Sequence, residues 1–179
     1  MPPLYATAAI SLLVLSTASA QSLPGPPCQL SVSRGISFSG PSALDNMTIS
    51  IGPGPCHSAQ LTLVIKDKRQ RILYRYDAPF KRHTATQWDE PSLPDEARKL
   101  IDDMARDVVA ARSEVPRPDP EGQIAEGGSA ELLVPSLVFN RLISGKQPVL
   151  YHPTYYEGGQ YVIYDPIKHV ARVVLRYGL

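Results

Sequence analysis

The sequence predicts an α+β domain in which an antiparallel β-sheet of hairpins and a meander packs against one long amphipathic helix, with a single disulfide. Three observations carry that expectation. Short β-branched and aromatic runs alternate apolar with polar residues toward both ends of the chain. Between them, Ala97, Leu100, Ile101, Met104, Ala105, Val108 and Val109 recur at helical spacing as one continuous stripe. The chain holds only 2 Cys, Cys28 and Cys56, enough for one bridge and too few for a disulfide-dense scaffold or a four-thiolate zinc site.

Residues 1–20 read as a secretory signal peptide. Ala6 to Val14 is apolar over the length of a signal core, and Ala18 and Ala20 supply the small-x-small cleavage pattern. This stretch has no Lys or Arg, so the amino terminus alone carries its positive charge. No apolar run approaches the ~18 residues of a membrane span, so no stable span is expected after cleavage. Export places both thiols in an oxidising compartment, where Cys28 and Cys56 pair. The bridge closes a loop of about 29 residues, worth roughly 3–4 kcal/mol on the chain-entropy model. It also removes the thiolate that a Cys56–His57 nucleophile would need. Residues 21–27 form an extended Pro/Gly leader, and 28–179 are expected to be a single domain.

Within that domain, Met47 to Ile51 is a short strand ended by Gly52-Pro53-Gly54-Pro55. Ala59 to Lys66 alternates, with Leu61, Leu63 and Ile65 on one face, and Arg71 to Tyr76 alternates in the same way. The polar segment Lys66 to Gln70 joins them as a hairpin. A helix is predicted from Leu93 to Arg112, with Ser92 and Asp95 resembling a capping box and Pro116 stopping it. Residues 113–130 carry several prolines and glycines and only two large apolar residues, so a flexible loop is expected. Ser136 caps a short helix, Leu137 to Ser144, with Gly145 as a left-handed terminator. Three strands follow: Val149 to Glu157, Gln160 to Tyr164 and Val170 to Tyr177. Gly158-Gly159 is read as the first turn, and Arg172 and Arg176 share one face of the last strand. The segment Val64-Ile65-Lys66-Asp67 and the strand after it find a faint echo in Val162-Ile163-Tyr164-Asp165 and its successor.

The formal net charge of +1 excludes a general nucleic-acid binder, which would be strongly basic. That neutrality is a sum of opposed blocks. Residues 66–83 hold seven basic residues against two acidic ones, while residues 89–131 hold twelve acidic against five basic. No His pair has zinc spacing, no nucleophile elbow or phosphate loop is present, and nothing implies a cofactor or a metal. A non-enzymatic extracytoplasmic domain, periplasmic in a bacterium or secreted, is therefore expected to bind a protein or cell-envelope partner. Arg69 and Arg71 in the basic hairpin are candidate binding residues, as are Tyr151, Tyr155 and Tyr156 in a segment dense in tyrosine. An unrecognised secreted enzyme would need at least two histidines and a carboxylate in one pocket.

Ser144-Gly145-Lys146, followed by Tyr151 and the Gly-Gly hairpin, resembles the Ser-Gly-bearing loop of periplasmic lysozyme inhibitors over about 20 residues. Spacing, cysteine placement and the long helix depart from that family. The resemblance implies inhibition of a hydrolase such as lysozyme, with Ser144, Lys146 and Tyr151 together on an exposed loop.

Overall fold

The computed structural model describes residues 27–85, 92–119 and 129–178. The expected signal peptide, nearly all of the leader and residues 120–128 of the expected loop lie outside them. The fold is mixed α+β, with two antiparallel sheets in place of the one continuous sheet expected.

The first sheet is a meander of β1 (Leu30–Ile36), β2 (Asp45–Ile51), β3 (Gln60–Lys66) and β4 (Ile72–Pro79), in that spatial order. Alternation decides its faces. Met47, Ile49 and Ile51 on β2 and Leu61, Leu63 and Ile65 on β3 are all buried on one side. That side is covered by α1 (Leu93–Asp107), whose Ala97, Ile101, Met104 and Ala105 form the buried half of the expected stripe. At the chain start, Cys28 is bonded to Cys56 with Cα atoms 4.7 Å apart, and the Cys28 N–H donates to the Gly54 carbonyl at 2.9 Å. Gly52 beside them has φ 120°, and a Cβ there would meet the Cys28 carbonyl, so only glycine fits this turn.

Helix α1 stops five residues before the predicted end. The Arg34 guanidinium donates to the Ala105 carbonyl and, at 3.3 Å, to that of Arg106, which closes the helix. Val109–Ala110 then becomes β5, pairing with the second sheet. Ser92 stands at the helix start in helical conformation (φ −74°, ψ −16°), whereas a capping hydroxyl needs the extended one.

The second sheet has the order β5, β7 (Val149–Tyr155), β8 (Gly158–Asp165), β9 (Val170–Tyr177) and β6 (Ala130–Leu132). Every residue of its central strand β8 is buried, because both faces are covered. Leu150, Val162, Tyr164 and Val173 pack with the first sheet and α1, whereas Val149, Tyr161, Ile163 and Leu175 pack beneath α2 (Ser136–Ser144). Gly145 after α2 is extended (φ −69°, ψ −173°), not left-handed. The helix end is held instead by Arg112, which donates to the carbonyls of Leu142, Ile143 and Gln147.

The turn between β7 and β8 is Tyr156-Glu157, with both glycines inside β8. A Cβ on Gly158 would fall within the ring of Tyr155, and one on Gly159 within that of Tyr151. The rings take the space that two side chains would need, so glycine is required in the strand, not at the turn.

Candidate functional site

The site is built where β4 of the first sheet meets β7, β8 and β9 of the second. Cross-strand register places Glu131, Arg176, Gln160 and His152 in one polar row across β6, β9, β8 and β7. Its inner end meets Tyr74 and Tyr76 of β4. The His152 Nδ1 lies 3.0 Å from the Pro153 carbonyl, which can only accept, so Nδ1 carries the proton and Nε2 is an acceptor. Tyr74 donates to that Nε2 at 2.7 Å, and the Gln160 amide donates to it at 3.1 Å and to the Tyr74 oxygen at 2.6 Å. Burial holds the imidazole of His152, only 1% exposed, down at about 4, despite its bond to Pro153. Burial raises the Tyr74 phenol against the opposing pull of Gln160. The triad is thus neutral and mutually satisfied, and its acceptor is already occupied by two donors. It positions the seam; a substrate proton has no free acceptor there.

Tyr76 bridges outward from this triad. Its ring centroid is 4.5 Å from that of His152 and 6.1 Å from that of His83, and its hydroxyl donates to the Thr154 carbonyl at 3.0 Å. His83 is 8% exposed, and neither of its ring nitrogens has a partner among the described residues. Burial, then the charges of His152 and Arg82, push this imidazole down to about 4.

Two clefts flank the cluster, divided by the tip of the β7–β8 hairpin. The adjacent Tyr155 and Tyr156 face one each. On the side of α1, Tyr156 (61% exposed), His83, Thr84, Glu96, Lys99 and Asp103 line a cleft of about 320 Å³. Two carboxylates and a histidine meet here, but both ring nitrogens of His83 are covered, and Asp103 pairs with Lys99 at 2.9 Å and with Arg106. On the other side, Tyr76, Arg82, Thr154, Tyr155, Gln160 and Arg176 line a cleft of about 610 Å³, with no carboxylate among the described lining residues. Among the described residues, neither Arg82 nor Arg176 forms an ion pair or a side-chain hydrogen bond, although Glu131 stands opposite Arg176 in register.

Several other arginines are neutralised near home, although Arg69, Arg98 and Arg117 likewise form no ion pair among the described residues. Arg71 pairs with Asp67 at 2.7 Å and Arg75 with Asp77 at 2.6 Å, both within the basic hairpin. Arg106 of the acidic block pairs with Asp103 and with Asp107. Among the described residues, the ion pairs of each block stay within it, and a Thr84 to Glu96 hydrogen bond links the end of the basic segment to α1.

The echo noted in the sequence has a structural counterpart. Asp67 accepts from the N–H groups of Arg69 and Arg71 and from the Arg71 side chain; Asp165 accepts from those of Ile167 and Lys168 and from the Arg172 side chain. Both carboxyls are held below their ordinary range. Burial opposes this in each, and the backbone and arginine donors outweigh it.

The candidate residues fall in separate places. Arg69 and Arg71 are exposed at the β3–β4 turn, beside a cleft that also takes in Ser39, Asp45 and Asp67. Ser144, the last residue of α2, and Lys146 just beyond it are exposed, but Tyr151 is not with them on a loop. It lies in β7, its ring packed with Tyr161 and Tyr177 and its hydroxyl 3.1 Å from that of Tyr177. Of the seven candidates, the seam cleft takes in Tyr155 alone. Arg82 and Arg176 were visible only as members of a basic block and a strand face. Compared with known proteins, the chain matches no family model, no curated protein and no solved structure.

Proposed function

We propose that this chain is a non-enzymatic domain that works outside the cytoplasm, in a periplasm or as a secreted protein, and binds a protein or cell-envelope partner through the seam between its sheets. The observation that carries this reading is the pair Arg82 and Arg176, which form no ion pair among the described residues and face a cleft walled by Tyr76 and Tyr155. Buried polar groups beneath the cleft satisfy one another, so its free valence faces outward. Tyrosine and arginine are the side chains that most often anchor interfaces. The Cys28–Cys56 bond fits an oxidising compartment, and no helix among the described residues is long and apolar enough to cross a membrane. The test is a pull-down from envelope extract with the full mature chain, against a control whose surface charges are scrambled. A partner retained only by the native surface is expected, and capture equal to the control overturns the reading.

Inhibition of a hydrolase such as lysozyme is the second reading, favoured by the exposure of Ser144 and Lys146 at the end of α2. Unchanged lysozyme activity at micromolar protein removes it.

A further inference from the structure

Resting on that binding reading, we infer that the seam cleft holds an oxyanion of the partner, a carboxylate or a phosphate, between Arg82 and Arg176, with a flat group beside it against Tyr155. Charge is the first reason. Among the described residues, two guanidiniums face a cleft with no acidic lining residue, and neither forms an ion pair, although Glu131 stands across the ladder from Arg176. A planar guanidinium presents paired donors that match the oxygens of carboxylate or phosphate.

The donor inventory of the floor is the second reason. The Tyr76 hydroxyl proton goes to the Thr154 carbonyl, and the Gln160 amide protons go to Tyr74 and His152. The hydroxyls of Thr154 and Tyr155 and the Gln160 side-chain carbonyl remain as neutral groups on the lining, and the charged groups among the described lining residues are the two cations. Size is the third. A bare oxyanion fills a small part of about 610 Å³, so the group that carries it occupies the rest, and the tyrosine rings are the apolar surface available to it. The arginines are also fixed differently. Arg176 stands on β9 in register with Gln160, whereas Arg82 lies in the short 3-10 turn Phe80–His83 that follows β4. The site thus spans both sheets.

The experiment titrates the full chain, with its disulfide intact, with phenyl phosphate, benzoate, inorganic phosphate and the uncharged benzamide, read by amide chemical shifts. Saturable shifts at the seam are expected for phenyl phosphate or benzoate, weakened by high salt (about 0.5 M). Whichever of the two binds tighter identifies the oxyanion. Weaker binding of inorganic phosphate than of phenyl phosphate shows the contribution of the ring. Arg82→Gln and Arg176→Gln are each expected to weaken binding about tenfold or more with an unchanged circular dichroism spectrum. Benzamide binding as tightly as benzoate overturns the inference, as does an unchanged affinity in both variants or the failure of every anion to bind below about 10 mM. The pull-down separates this failure from that of the binding reading. A partner captured equally by the native chain and the Arg82→Gln/Arg176→Gln double variant overturns the oxyanion and leaves the reading standing. No capture by the native chain overturns the reading itself.

Discussion

Lowering the pH from about 7.5 to about 5 should destabilise the protein by an amount set by two histidines. His83 and His152 each have a folded pKa near 4, against 6.5 for an unperturbed imidazole, because burial disfavours the charged ring. The folded pKa is the lower one, so the unfolded chain binds more protons across this window. Stability is complete above pH 6.5 and falls as pH drops toward 4, where the folded state begins to protonate as well. At one pKa unit per 1.36 kcal/mol, a titration over this interval removes about 2 kcal/mol per histidine by pH 5, so about 4 kcal/mol for both. Asp67, Asp77, Asp103 and Asp165 have lowered values, so their contributions are lost only below the ordinary carboxylate value of 3.8, in a separate and more acidic limb.

The two histidines also differ in a way that substitutions expose. His83 makes no hydrogen bond among the described residues, so His83→Phe removes a buried orphan and keeps the ring against Tyr76. At pH 7.5 that variant should be as stable as the native chain or more so, and its loss on going to pH 5 should be about half as large. His152→Leu instead strands the Tyr74 hydroxyl and the Gln160 amide, at a cost of about 1–3 kcal/mol at pH 7.5, and because the variant lacks the His152 titration this cost falls by about 2 kcal/mol at pH 5. Urea unfolding followed by circular dichroism at the two pH values gives every quantity needed. A native chain of equal stability at both, or a His83→Phe variant with the full native loss, refutes the reasoning.

Gly159→Ala should cost about 2 kcal/mol, because its Cβ needs the space of the Tyr151 ring, and the cost should shrink in a Tyr151→Leu background; a double-mutant cycle by urea unfolding measures the coupling. Asp165→Ala should cost about 3 kcal/mol, since it strands Arg141, Arg172 and two backbone N–H groups around a fully buried position, and thermal melts at neutral pH check it. Reduction of Cys28–Cys56, which lie 28 residues apart, should cost about 3.5 kcal/mol, read as a fall in the urea midpoint with added reductant.

Where local pattern and tertiary demand agreed, the fold was legible. The strands at 45–51, 60–66 and 170–177 and the stripe of α1 follow from alternation and helical period, because each element buries one face. Strand β1 escaped notice because Ser31, Ser33 and Gly35 leave it little strand propensity. Its pairing with β2 from Leu30–Ile51 to Ile36–Asp45 supplies the order instead. Strand β8 carried no alternation because both its faces are buried, so its two glycines looked like a turn. Val108 and Val109 fit the helical stripe equally well as a continuation. Only the Arg34 contact to the helix end and the pairing of Val109 with Leu150 decide between helix and strand, and both are non-local.

The cleft was hidden for a similar reason, and the residue responsible is Val174. Strict alternation places Arg172 and Arg176 on one face of β9. The pairing with β8 slips between Tyr161–Leu175 and Val162–Val173, so Val174 has no partner across the ladder and the faces exchange. Ala171 and Val173 consequently pack in the core shared with the first sheet, while Leu175 and Tyr177 pack under α2. The same slip separates the two arginines. Arg172 falls on the side of α2, where with Arg141 it closes around Asp165 and is used by the fold. Arg176 falls on the seam, between Gln160 of β8 and Glu131 of β6, and forms no ion pair among the described residues. One inserted residue thus converts a repeated basic face into a structural ion pair and a free cation. On the binding reading proposed above, the free one is where an anion of the partner is placed.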